Sequence, residues 1–287
     1  MTPSTFPKTD LARLAALPED QATLALLAAL RFVAAGDLTL LGISRPKTDS
    51  LVSDGLVFAL QLQRRLTDEQ QVEVLALRRS GAKTLASLLS VDPASVPYST
   101  QSTCKRSAMF LDHSLAISRF ALLLAVALSN RMGHQCPTPT TLLSFEQDAD
   151  RLSDVVHDLT VDGEYRRQPL VADALAVVQG TRGPSGLLVE IDRGTESPSY
   201  LGRKYAGYFE WWRQGGPKRR FDVAALRLLT IASNEKRTAT LRDTCRKATS
   251  GRAGGLFWFA SEGDLVEHGL LAPVWSNLRS AHLPLWS

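Results

Sequence analysis

The segment 187–193, LLVEIDR, constrains this chain more than any other. Its run of Leu, Val and Ile reads as a strand buried on both faces. Glu190 and Asp192 lie two apart within it, so their side chains leave the strand on the same face. A carboxylate in so apolar a strand is costly unless it is paired or bound to a metal. The fold must therefore bring compensating charge to this strand. The preceding segment 170–179, LVADALAVVQ, also reads as a strand, and the turn-forming GTRGPSG between the two predicts a hairpin. Asp173 lies on that first arm. Asp173, Glu190 and Asp192 are thus expected to converge at a strand end, where oxygen ligands suit Mg²⁺ or Mn²⁺. A metal held there would activate water and stabilise the transition state of nucleic-acid cleavage. Lys204, in the first turns of the following helix, is the candidate cation of the same site.

Composition bounds the rest. The chain has 287 residues, 44% hydrophobic and 22% charged, the profile of a folded protein of two domains. The longest nearly uncharged run, 120–130, falls short of the ~20 residues that span a bilayer. The N-terminus lacks a basic stretch followed by an apolar one, so no secretory signal is expected. Three widely spaced cysteines, Cys104, Cys136 and Cys245, fit a reducing compartment and a cytoplasmic protein. The net charge of +4 is modest, but its distribution is polarised. Residues 137–200 carry five Lys/Arg against eleven Asp/Glu, whereas 201–252 carry thirteen against four. One reading is two solvated faces of one domain. The other is a carboxylate metal site beside a phosphate-binding surface, with Lys218, Arg219 and Arg220 among the candidate DNA contacts.

Along the chain, 10–100 reads as a first domain. Helices are expected at 20–35, capped by Asp20 and ended by Gly36, at 37–43 and at 45–54. The period then changes to two: Phe58, Leu60 and Leu62 alternate with polar neighbours, and 72–77 returns as a second strand. A helix at 80–91 follows. Three helices and a hairpin make the winged-helix variant of helix-turn-helix, whose third helix would enter the major groove of double-stranded DNA. Its candidate contacts are Arg45, Lys47, Thr48 and Ser50. The wing would add Arg64, Arg65, Arg78 and Arg79. A long apolar helix at 104–130 is buried against the rest of the chain or a second copy, which makes 101–136 a linking or dimerisation segment. The remainder, 137–287, alternates strands and helices as one α/β domain. It opens with a strand at 142–147 and a short helix through Asp158. Strands at 170–179, 187–193, 223–233 and 255–261 are joined by helices at 197–214 and 235–250. Tyr205, Tyr208 and Trp212 share a face of the first of these helices and read as core.

No GxxxxGK[ST] and no HExxH occurs, so neither an ATPase nor a zinc hydrolase is indicated. The segments EIDRGTES (190–197) and YLGRKYAGY (200–208), with SGAKTLASLLSVDPASVP (80–97) and FLDHSLAISRFALLLAV (110–126) upstream, resemble the replication-relaxation family of plasmid and mobile-element proteins. The resemblance implies an N-terminal winged helix and a C-terminal domain of the PD-(D/E)xK nuclease type. It also implies a part in plasmid replication, relaxation or mobilisation, with the proteins of those processes as partners. Asp173 takes the place of the motif's first Asp and Glu190 its acidic position. Ala172 stands for the Pro and Asp192 for the Lys, so the usual cleavage chemistry lacks its cation unless Lys204 replaces it. The expectation is a DNA-binding protein with a nuclease-like domain. The alternatives are a Mg²⁺-dependent DNA nickase and a dimeric winged-helix regulator.

Overall fold

A computed structural model of the chain describes residues 4–63, 71–128, 141–147, 149–157, 167–180 and 183–286. The chain is a mixed α and β protein of two compact units, Met1–Met132 and Gly133–Ser287.

In the first unit, α1 (Leu11–Ala15) starts at Asp10, whose carboxylate accepts the Arg13 N–H at 3.1 Å. Helix α2 (Glu19–Leu30) is apolar beyond its first turn and buries most of its length. It starts one residue before the expected cap: Pro18 precedes it, and Glu19 and Asp20 lie in the first turn, where the helix dipole favours carboxylates. It ends at Arg31 and not at Gly36, because β1 (Val33–Ala34) leaves the helix to join a sheet. A 3₁₀ segment, Ala35–Leu41, carries Asp37, which accepts both hydrogen bonds of an Arg119 contact at 3.0 and 3.1 Å. Helix α3 (Arg45–Ser53) follows. Strands β2 (Val57–Gln63) and β3 (Gln71–Leu77) pair antiparallel, Val57 opposite Leu77, and β1 completes the order β1-β3-β2.

Next come α4 (Arg79–Leu89), α5 (Gln101–Cys104) and α6 (Ala108–Leu128). The helix expected over 104–130 is one helix that starts later, at Ala108, with the short α5 ahead of it. The reason is local: Ser107 accepts the Phe110 N–H on its hydroxyl at 3.3 Å and caps a new start. Helix α6 is long and apolar enough to cross a membrane by length and composition, and 67% of that stretch is buried inside the protein. Its Leu111 and Leu115 join Phe32, Val74 and Ala76 in one core cluster.

The second unit opens with β4 (Thr141–Glu146), α7 (Ala149–Leu152), β5 (Ser153–His157), β6 (Arg167–Val171), β7 (Ala174–Gly180) and β8 (Gly183–Asp192). It continues with α8 (Pro198–Arg213), α9 (Gly216–Phe221), β9 (Ala225–Ala232), α10 (Glu235–Ala248), β10 (Phe257–Ser261), α11 (Glu262–His268) and β11 (Ser276–Asn277). Six strands form a mixed sheet in the order β11-β10-β9-β8-β7-β4. Strands β8, β9 and β10 run parallel, and the outer pairings are antiparallel. Edge strand β4 carries a register shift between Leu142 and Ser144. Two expectations are corrected. Residues 153–157 form a strand and not a helix, because β-branched Val155 and Val156 pair with β6 in a separate two-stranded sheet. The strand expected over 170–179 breaks at Ala172 and Asp173, so its first part serves that small sheet and its second the large one. Helices α8 and α10 share a core with the large sheet in which Tyr205, Tyr208, Trp211, Leu241, Phe257 and Phe259 are buried.

Helix α4 lies close against the chain at Leu56. A Cβ on Gly81 would come within 2.3 Å of the Leu56 carbonyl oxygen and 2.7 Å of Leu77 Cδ1. In an open helix, Gly→Ala stabilises by roughly 0.5–1 kcal/mol. Here the sign is expected to reverse. Gly81→Ala should destabilise by about 1–3 kcal/mol, the usual overpacking cost, read as a lower denaturant midpoint by circular dichroism.

Candidate functional site

The site is built on the C-terminal end of β8. Glu190 and Asp192 are buried there, at 8% and 6% exposure. Strand β8 ends at Asp192, Gly194 turns the chain at φ +76°, and Ser197 caps α8 by accepting the Tyr200 N–H at 3.3 Å. Residues 193–195 thus form a connecting turn, and Ser197 is the cap.

Helix α8 brings a cation and a phenol to Glu190. Lys204 and Tyr208 are one turn apart, so both reach the same carboxylate. Lys204 Nζ lies 2.5 Å from Oε2, and the Tyr208 hydroxyl donates to Oε1. Burial pushes the Glu190 carboxyl up to about 7, against the pull of Lys204 and with a further push from Asp173. Burial works to lower Lys204, but Glu190 and Asp173 outweigh it and hold the ammonium above its ordinary range. Burial and the Glu190 charge likewise hold the Tyr208 hydroxyl well above the usual phenol value, so it remains a donor.

Asp192 is served from α10. Asn234 caps that helix by accepting the Arg237 N–H at 2.9 Å, which fixes Arg237 in the first turn beside β8. The guanidinium grips Asp192 with two bonds, Nε to Oδ2 at 2.7 Å and Nη2 to Oδ1 at 2.9 Å. Nη2 also donates to the Glu196 carbonyl at 2.9 Å, and the Gly194 N–H donates to Asp192 Oδ2 at 3.2 Å. Arg193 pairs with Glu262 at the start of α11. These contacts lock the turn between β8 and α8.

The structure therefore brings Lys204 to Glu190 as expected, but divides the carboxylates. Asp173 hydrogen-bonds along the strand: its N–H donates to the Val189 carbonyl at 3.0 Å and its Oδ2 accepts from the Ile191 N–H at 2.7 Å. It influences Glu190 and Lys204 electrostatically. Asp192 belongs to Arg237. Among the described residues, no three His, Cys, Asp or Glu side chains group closely enough to hold a metal. Protein donors reach both oxygens of Glu190 and of Asp192. A cavity of about 10 Å³ remains beside Glu190, Asp192, Lys204, Tyr208 and Thr230. That is room for about one water molecule.

Among the DNA-contact candidates, Thr48 is buried at 2% exposure and donates to the Arg45 carbonyl, so its side chain faces the core. Arg45 pairs with Asp49 and Glu73, Lys47 with Asp20, and Ser50 donates to Asp54. Arg78 lies over the Phe58 ring at 4.3 Å, while Arg79 is exposed. Arg64 and Arg65 lie outside the described residues. In the second unit Lys218 pairs with Asp222 and Arg219 with Asp154. Arg220 is structural: it donates to the carbonyls of Asp150, Arg151 and Ser153.

The replication-relaxation family model matches residues 22–224. The chain belongs to the replication-relaxation family. Membership points to a replication-related role in a plasmid or mobile element, and the matched span takes in Asp173, Glu190, Asp192, Lys204 and Tyr208. A search of curated proteins and a search of solved structures return no match. Arg237 lies beyond the matched residues and was not singled out from sequence. A signal for it existed: a cation in the first turn of a helix opposes the helix dipole, so a basic residue at that point of α10 needs an anion nearby.

Two outcomes follow from this chemistry. Glu190 titrates at about 7 in the folded chain against an ordinary 4.5, so the folded state holds its proton longer. Its contribution to stability is fully present below pH 4.5 and is lost as pH rises through about 7. Thermal melts across that window should fall for the wild type relative to Glu190→Gln, with a constant difference at higher pH. Arg237→Ala strands Asp192 as a buried, unpaired charge and should cost about 3–5 kcal/mol, measured by urea denaturation.

Proposed function

We propose that this replication-relaxation protein binds DNA and that its second unit has a nuclease-like fold kept for architecture and binding instead of efficient cleavage. The observation that carries the reading is the internal neutralisation of the site: Lys204 and Tyr208 occupy Glu190, and Arg237 occupies Asp192. An enzyme that hydrolyses phosphodiesters needs a charged group turned towards substrate and room for it. Carboxylates and cations that neutralise one another within the cluster do not supply that charged group.

The first unit is read as a winged-helix module. Helix α2, the 3₁₀ segment and α3, followed by the β2–β3 hairpin with β1 alongside, support this. The charges of α3 are paired within the unit, so we infer positioning through a few contacts, with exposed Arg79 of α4 among them. A second reading, a Mg²⁺- or Mn²⁺-dependent nickase, draws on the Lys204–Glu190 pair with Asp173 acting on both.

Incubation of supercoiled plasmid with the full chain separates the two. The first reading expects a gel shift that weakens steeply with salt and no nicked circles with either metal. Metal-dependent nicking that disappears in Glu190→Ala would give the site to the second. No duplex binding at low salt would overturn the DNA-binding reading.

A further inference from the structure

The basic excess of the second unit is not spent in the cluster around β8. Residues 201–252 carry thirteen Lys/Arg against four Asp/Glu, and within the cluster only Lys204 and Arg237 are consumed. Much of the remainder lines the outer surface of α8 and α10. Arg203, Lys236, Lys247 and Arg252 are exposed. Among the described residues Arg203, Lys236 and Lys247 make no ion pair, whereas Arg213 and Arg246 are held by Glu210 and Asp243.

The two helices meet closely at Gly202, where an added Cβ would lie 3.6 Å from Thr244 and 4.0 Å from Ala248. Exposed Lys247 immediately precedes Ala248 at that crossing. Farther along α8 an aromatic is exposed. Trp212 is 40% exposed although it shares its helix with the buried Tyr205, Tyr208 and Trp211. The sequence expectation that it packs in the core with Tyr205 and Tyr208 is corrected here. Its ring stacks on Phe209 with centroids 6.2 Å apart and planes 24° apart. Arg252, arriving from the end of α10, places its guanidinium 5.0 Å from the centre of the Phe209 ring. One face of a rigidly supported indole is thereby left towards solvent, with a guanidinium on the same supporting ring.

We propose that this α8–α10 surface binds single-stranded DNA, with Trp212 as the platform on which one base stacks and Arg252 and Lys247 as phosphate contacts. A flat aromatic with exposed cations near it suits a single strand, whose base faces are free. A duplex offers its phosphates to the same cations but has no free base face for the indole. The proposal rests on the reading of DNA as the partner and deepens it: it assigns the second unit a different form of DNA from the first.

The test uses the full chain and a fluorescein-labelled thymidine oligonucleotide, followed by anisotropy, with a duplex of equal length in parallel. Trp212→Leu keeps apolar cover over Phe209 and removes the ring. It should weaken oligonucleotide binding by about 5- to 100-fold, the loss of one stacked base, and leave duplex binding unchanged. Trp212→Phe, which retains a stacking face, should stay close to the wild type. Arg252→Gln should make the salt dependence shallower by about one phosphate contact. Unaltered oligonucleotide affinity in Trp212→Leu, or an equal loss for oligonucleotide and duplex, would overturn the proposal while leaving the DNA-binding reading intact. A wild-type chain that binds neither form would overturn both.

Discussion

Two carboxylates buried at the end of a central strand set the terms for the second unit. Glu190 and Asp192 lie on β8, flanked by β7 and β9, where water cannot compensate them. Each is met from a different helix: α8 delivers Lys204 and Tyr208, and α10 delivers Arg237. A buried ion pair seldom adds net stability over an apolar substitute, but losing one partner is severe. The cluster therefore acts as a positional constraint. Both helices must start at one edge of the sheet and at one rotation about their axes, or a charge is left stranded. The caps Ser197 and Asn234 fix those starts.

Much of this was legible in the residues. The change from a helical to a two-residue period before Phe58 gave the β2–β3 hairpin, and the apolar run around Glu190 gave the central strand. The spacing of Glu190 and Asp192 on one face, and the approach of Lys204, were legible for the same reason: both are local geometry. What escaped was long-range. Arg237 reaches Asp192 across 45 residues of chain, and no local pattern shows which strand a helix start will face. The break at Ala172 and Asp173 also escaped, because its cause is a pairing with β5 that no neighbour in sequence reveals. Asp173 satisfies the Ile191 N–H of the adjacent strand, a partner that residue spacing alone does not show.

The two units use charge differently. In the first, the basic residues of α3 are answered within the unit by Asp20, Asp49 and Glu73, so its surface there is close to neutral. In the second, Glu190 and Asp192 are drawn inward together with Lys204 and Arg237. The excess of cations over 201–252 leaves Arg203, Lys236, Lys247 and Arg252 exposed.

The margins of the six-stranded sheet carry a last consequence. At one end β11 contributes two residues, and at the other β4 shifts register between Leu142 and Ser144. An incoming strand would meet a stub on one side and an irregular ladder on the other. Both features discourage continued pairing from chain to chain. Protection against edge-to-edge aggregation is thus written into the outermost strands.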